Sequence, residues 1–265
     1  MSFMKTKNAT IAFEIWKSDE GSESAPWISL INGHTRSRSD FRLIAKHLVN
    51  AGFRVVSLDN RGSGQSLSEE DFSLHDMAED WIQLWDELNI ATTHLAGISM
   101  GGLIARILAS VASERIESLS LISTMPGPEY LSFPRSSGWP ETQEGVSEIL
   151  KTYFARDYFK KNQILIQAMA KTISKAVKEE QFNEKAAGQR EAVRHFKSEQ
   201  FPVDQFSART QVIYGDEDQI VSGQAANDLV SLFRGADRIE FKGAGHLLLG
   251  EKPRELLDAL VNFCK

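Results

Sequence analysis

The chain has 265 residues, enough for one large domain or for one domain carrying an insertion, with a sizeable core of its own. Its 30 Lys and Arg against 36 Asp and Glu leave a net charge of −6, which argues against a nucleic-acid partner, and 42% hydrophobic with 25% charged residues excludes collagenous and disordered classes. The single cysteine, Cys264, rules out an internal disulfide and a thiolate zinc cluster; with no signal-peptide-like apolar run at the N-terminus and no stretch near the ~20 apolar residues of a membrane span, the expected location is the cytoplasm.

Apolar runs at 27–31, 53–58, 94–96 and 116–122 are each followed by a turn signal and alternate with helical patterns, which predicts a parallel sheet with crossover helices. Between the first two runs Phe41, Ile44, Ala45 and Leu48 recur at helical spacing, with Ser37 and Asp40 placed as a capping box and Gly52 placed to end the helix. Between the second and third, Met77, Trp81, Leu84, Trp85 and Leu88 form another stripe, preceded by Ser73 and Asp76 in the same box spacing. A third stripe, Leu103, Ile104, Ile107, Leu108 and Val111, follows the third run.

After Ile122 the rhythm breaks. Pro126, Pro128, Pro134 and Pro140 crowd a stretch that can be neither regular helix nor central strand. From about 146 to about 196 the pattern is helical throughout, with Ile164, Ala168 and Ile173 as a partial stripe. Pro202 marks the return of the alternation: a strand at 211–214, a helix carrying Ala226, Leu229, Val230 and Phe233, a strand at 238–241 and a last helix after Pro253. The expected organisation is a core of residues 1–125 and 203–265 interrupted by a helical cap at 126–202, without internal repeats.

Gly97-Ile98-Ser99-Met100-Gly101 matches G-x-S-x-G between an apolar strand and a helical stripe. A strand that reverses there into a helix holds its serine in a strained conformation, and side chains two positions away on either side would collide. The bland alternative is a glycine-rich turn with a capping serine. A serine hydroxyl needs a histidine base, and the base a carboxylate to fix its tautomer. His246, in Gly243-Ala244-Gly245-His246, follows a strand and lies downstream of an acidic loop, Gly215-Asp216-Glu217-Asp218, which also follows a strand. Of the other histidines, His47, His75 and His195 lie in or beside helical patterns, His94 begins a strand, and His34 lies in an early loop. Spacing alone leaves Asp216, Glu217 and Asp218 equivalent as the acid.

Asn32-Gly33-His34, the stretch from Asp59 to Ser66, the serine turn, the acidic loop and the late Gly-x-Gly-His together resemble the α/β-hydrolase superfamily, over roughly residues 25–124 and 205–262. The resemblance implies the α/β-hydrolase fold, selects Asp218 as the acid because it is followed by one residue and then Ile220, and implies that the backbone N–H groups of His34 and Met100 form an oxyanion hole beside the helix start. The sequence departs from the pattern at Asn32, where many members carry histidine. The stretch from Asp59 to Ser66 lacks the Gly-Lys-Ser/Thr ending of a phosphate-binding loop and is expected to be a structural turn.

The expected chemistry is hydrolysis of a small-molecule carboxylic ester through an acyl-enzyme, with Ser99 as nucleophile, His246 as base and Asp218 as its partner, and with no cofactor and no metal. Tyr130, Phe133, Trp139, Tyr153, Phe154, Tyr158 and Phe159 are the candidates to line an acyl pocket, although packing is the commoner fate of each. From 141 to 200 there are 11 Lys and Arg against 9 Asp and Glu, a surplus that a carrier-bound acyl group or a plain solvated face would suit equally. The same triad serves enol-lactone hydrolysis, carbon–carbon hydrolysis and cofactor-free peroxidation, and a slow-turnover ligand sensor is the rival from outside catalysis. Ser99 argues against family members that use an aspartate nucleophile.

Overall fold

The computed structural model describes residues 1–18, 22–132, 138–179 and 182–265. The chain opens with β1 (Ser2–Lys5), β2 (Ala9–Trp16) and β3 (Trp27–Ile31), followed by α1 (Arg42–Asn50), β4 (Arg54–Leu58), β5 (Leu67–Ser68), α2 (Leu74–Glu87), β6 (Thr93–Ile98), α3 (Met100–Val111) and β7 (Ile116–Ile122). A helical excursion comes next: α4 (Gln143–Tyr153), α5 (Arg156–Lys161), α6 (Gln163–Val177) and α7 (Phe182–Arg194). The chain then returns through β8 (Arg209–Gly215), α8 (Gly223–Leu232), β9 (Asp237–Phe241), α9 (Leu248–Glu251) and α10 (Pro253–Cys264).

The strands form one sheet in the order β1-β2-β4-β3-β6-β7-β8-β9, with β5 paired to β2. From β4 through β9 every neighbour is parallel, whereas β1, β2 and β5 add an antiparallel margin that the run pattern does not predict. Parallel pairing requires helical crossovers, and these cover both faces. Alternation along a strand sends neighbours to opposite layers: Val56 packs with Trp81, Trp85, Leu103 and Leu229 of α2, α3 and α8, and Val55 with Phe41 just ahead of α1, Leu48 of α1 and Leu260 of α10.

Two local expectations need correction. Ser73 and Asp76 do form a reciprocal capping box at the start of α2, but Ser37 and Asp40 do not cap α1. A 3₁₀ turn over Arg38–Phe41 intervenes, Ser37 Oγ bonds to Ser39 Oγ at 2.6 Å, and the Asp40 carboxylate is drawn to Arg36 at 2.7 Å and Asn32 at 3.1 Å. In α6 the buried stripe is Ile166, Ala170 and Val177, with Ile173 half-buried at its side; Ile164 is 91% exposed and Ala168 also faces out. Three consecutive apolar residues, Ile164 to Ile166, allow two stripe registers, and packing against Val146 and Leu150 of α4 selects the second.

The excursion is fastened at its roots. Arg106 on α3, 4% exposed, donates Nη1–H to the carbonyl of Pro126 at 2.6 Å and Nη2–H to that of Ser198 at 2.8 Å, close to where the chain leaves and rejoins the sheet. No described helix is long and apolar enough to cross a membrane.

Candidate active site

Strand β6 ends at Ile98 and α3 begins at Met100, so Ser99 alone turns the chain. It does so at φ 54° and ψ −119°, a region L-residues avoid. Its N–H still donates to the Ile122 carbonyl at 2.9 Å, and its own carbonyl accepts Thr124 Oγ1–H at 2.6 Å, so the strained residue is tied to the end of β7 and to the segment that leaves it. A Cβ on Gly97 would stand 2.4 Å from the Gly101 carbonyl oxygen, and one on Gly101 would stand 2.4 Å from that of Ile31. Backbone approach forces glycine at both positions.

Because β6, β8 and β9 run parallel, the segments that follow them emerge along one edge of the sheet, and Ser99, Asp218 and His246 all lie there. His246 Nδ1 is 2.8 Å from Asp218 Oδ2, and Nε2 is 3.1 Å from Ser99 Oγ. Asp218 Oδ1 accepts the N–H groups of Ile220 at 2.8 Å and Val221 at 3.0 Å. Every one of these contacts uses the carboxylate as acceptor, so the imidazole presents Nδ1–H to it and turns the Nε2 lone pair toward the serine hydroxyl. The His246 and Asp218 side chains are 5% and 3% exposed, while Ser99 is partly open to solvent. The pair is shielded and the hydroxyl reachable.

The acids that spacing left equivalent go to three different places. Asp216 accepts the N–H of Gly243 at 2.7 Å, which ties the acidic loop to the histidine loop, and Glu217 accepts the N–H of Arg156 at 3.0 Å, which ties it to α5. Only Asp218 meets the imidazole. The histidine loop itself is clamped by the excursion. Tyr153 O accepts His246 N–H at 2.8 Å, and the Tyr153 ring stands edge-on to the imidazole with centroids 5.6 Å apart. Glu251, a buried side chain, accepts Gly245 N–H at 3.0 Å and Ala155 N–H at 2.9 Å, so one carboxylate joins the loop to the α4–α5 corner. Burial pushes the Glu251 carboxyl above the usual carboxylate range, against the pull of those two donors.

The 32–35 loop reaches the serine from the other side: a Cβ on Gly33 would stand 3.8 Å from Ser99 Oγ. Asn32 folds this loop on itself, donating Nδ2–H to Ser37 O at 2.7 Å and accepting Gly33 N–H at 2.9 Å. His34 Nε2–H donates to the carbonyl of Ala186 at 2.9 Å, and Thr35 N–H to Gln189 Oε1 at 2.6 Å, both on α7. Gln189, fully buried, also donates Nε2–H to Arg61 O at 2.7 Å. Met100, the first residue of α3, is buried directly beside Ser99.

The remaining residues read from sequence lie elsewhere. His47, His75 and His195 are exposed. His94, in the first half of β6, bonds to Ser118 Oγ at 2.9 Å, and burial lowers its pKa. The stretch from Asp59 to Ser66 is a turn built around a buried carboxylate, Asp59, which accepts N–H groups from Arg38 at 2.7 Å and Gln65 at 2.8 Å and pairs with the Arg38 guanidinium. Phe154, Tyr158, Phe159 and Trp139 pack inside the excursion, Tyr130 bonds to Asp228, and Phe133 and Pro134 lie outside the described residues. Among the described residues no group of three or more His, Cys, Asp or Glu side chains is placed to hold a metal ion. Gln189, Glu251 and Arg106 carry no sequence signal, since each reads as an ordinary polar position in a helix.

The sequence model of the α/β hydrolase fold matches residues 26–253. The chain belongs to the α/β hydrolase fold family. This α/β hydrolase is 24% identical over 264 residues to the sn-1-specific diacylglycerol lipase ABHD11 of Mus musculus, a match covering 92% of this chain and 82% of the relative. Over a shorter stretch of 76 residues, 29% of each chain, it is 38% identical to the 3-oxoadipate enol-lactonase 1 of Acinetobacter baylyi. The solved enol-lactonase of Burkholderia xenovorans LB400 shares the fold of this α/β hydrolase, with a TM-score of 0.83 and 23% identity over 99% of both chains.

Proposed function

We propose that this α/β hydrolase cleaves carboxylic esters through a Ser99–His246–Asp218 triad and an acyl-enzyme. The observation that carries the reading is the imidazole held between Asp218 at 2.8 Å and Ser99 at 3.1 Å, with the hydroxyl presented by a strained turn. His246 Nε2 takes the hydroxyl proton as Ser99 Oγ bonds to the acyl carbon, and Asp218 accepts Nδ1–H of the imidazolium so formed. The N–H of Met100, unpaired within its helix as a first-turn donor, and the N–H of His34 stabilise the oxyanion. His246 returns its proton to the departing alcohol; it then takes one from water, whose oxygen attacks the acyl carbon, and the proton goes back to Ser99 as the acid leaves.

The helical excursion, residues 126–202, serves in this reading as a cap on the core of residues 1–125 and 203–265 and shapes the acyl pocket. Two relatives are named for a diacylglycerol lipase and an enol-lactonase, and both names denote ester bonds, one open and one cyclic. The enol-lactone reading therefore stands second, with the same triad. Incubation with a fluorophosphonate followed by mass spectrometry tests both: the label is expected on Ser99 alone, and Ser99→Ala is expected to lose about 10⁵-fold or more in kcat on a p-nitrophenyl ester. Undiminished hydrolysis in the variant, or label on another residue, would overturn the assignment. No turnover across a chain-length panel of open esters, with rapid opening of an enol-lactone, would select the second reading.

A further inference from the structure

Helix α6 presents apolar residues on both sides. Ile166, Ala170 and Val177 face α4 and are buried, whereas Ile164 and Leu165 stand 91% and 48% exposed. Ile164, Ala168, Lys171 and Lys175 follow one another at i, i+4, i+7 and i+11, which places them in one outward stripe, and all four are exposed. Lys160 and Lys161 close α5 just ahead of it and Lys178 follows. Residues 158–178 thus hold five lysines and no Asp or Glu, on a chain of net charge −6. Single exposed aliphatic residues are ordinary, and Leu43, Leu67 and Val111 are of that kind. An adjacent exposed pair on a helix whose only charges are positive is the pattern of a segment that lies in a lipid–water boundary.

We propose that the outer face of α6, with the end of α5, docks on an anionic lipid surface, Ile164 and Leu165 entering the headgroup boundary and the lysines meeting lipid phosphates. Lysine suits this role because its flexible stem lies along apolar material while the ammonium stays with the headgroups. A protein partner would bury the aliphatic pair as well, but the lysines, spread from the end of α5 to the far end of α6, favour a fluid, laterally charged surface. The inner face of the same helix rests on the cluster that Leu247, next to His246, packs against, so the docked surface lies across the excursion from the base. Resting on the ester-hydrolase reading, the substrate class that follows is acyl esters dissolved in such a layer.

Co-sedimentation with vesicles of phosphatidylcholine, alone or mixed with phosphatidylglycerol, tests the docking. Binding to the mixed vesicles is expected to be at least about tenfold tighter than to the neutral ones and to weaken with added salt. Replacing Ile164→Asp with Leu165→Asp, or Lys160, Lys161, Lys171 and Lys175 each →Glu, is expected to lose about tenfold or more of that binding. Being exposed, these positions tolerate the changes, and hydrolysis of a soluble short-chain ester should persist in both variants. Ser99→Ala should bind vesicles like the wild type while losing hydrolysis, so docking and the hydrolase reading fail separately. Equal binding to neutral and anionic vesicles, binding to neither, or full binding in both surface variants overturns the docking. Salt-sensitive binding to an acidic acyl carrier protein, with none to vesicles, also overturns it.

Discussion

The turn that carries Ser99 and the loop that carries His246 are held by opposite means. The serine turn is held within the sheet: its shape follows from glycines at 97 and 101, where any Cβ would strike backbone of the turn itself or of β3, and from bonds to Ile122 at the end of β7 and to Thr124 just past it. The histidine loop is held from several sides, by the Asp216 carboxylate of the acidic loop, by the carbonyl of Tyr153 and by the Glu251 carboxylate, which also grips Ala155. The nucleophile is therefore a property of the sheet, whereas the base depends also on how the helical excursion sits. Chemistry at this site depends on both.

Four substitutions break or sharpen that contrast. Asp218→Asn leaves the shape but can present its amide to His246, favouring the wrong tautomer, and kcat is expected to fall by about 10⁴ with little change in melting temperature. A variant as active as the wild type would remove Asp218 from the mechanism. Gly101→Ala places a methyl 2.4 Å from the Ile31 carbonyl oxygen, and is expected to destabilise by about 3 kcal/mol and to slow fluorophosphonate labelling about a hundredfold. Normal labelling would show that the turn can relax.

Gln189→Met keeps the volume but leaves the half-buried Thr35 N–H and the buried Arg61 carbonyl without the side chain that pairs them. We expect about 1–3 kcal/mol of destabilisation and a roughly tenfold lower kcat at similar KM, because the neighbouring His34 N–H is a proposed oxyanion donor. A change in KM alone would remove the loop from transition-state stabilisation. Glu251→Gln has the smallest expected effect and tests the histidine loop through pH. The folded carboxyl titrates above its usual range, so the contribution of this group is fully present below the unfolded value of about 4.3 and is lost as pH rises through the folded value. The wild-type melting temperature should accordingly fall relative to the variant across that window, and a difference that stays flat with pH would contradict it.

These partnerships also mark what sequence can and cannot convey. The serine turn is legible because its signature lies within five adjacent residues, even though one of its glycines answers to the backbone of β3, and the parallel strands because apolar runs buried on both faces announce themselves. The acid was not legible from spacing: Asp216, Glu217 and Asp218 differ only in which distant group they meet, Gly243, Arg156 or His246. Gln189 and Glu251 escaped for the same reason, since their partners are main-chain groups brought up by folding. The antiparallel β2 is not marked by an uninterrupted apolar run: Ile11, Phe13 and Ile15 alternate with Thr10, Ala12 and Glu14, the pattern of a strand half-buried at the margin of the sheet. On α6 periodicity suggests Ile164 and Ala168, two residues from the buried Ile166 and Ala170, because it does not say which edge of a broad apolar band meets a neighbour.

Arg106 binds the excursion by oxygen atoms of the main chain, those of Pro126 and Ser198, and its guanidinium also lies 5.8 Å from the centroid of the Phe196 ring. The two hydrogen bonds of this clasp are blind to the amino acids between its grips. Selection could rewrite much of the stretch between those grips, altering which acids or alcohols are admitted, so long as the side chains that fasten it to the core, Gln189 and Phe196 among them, were kept.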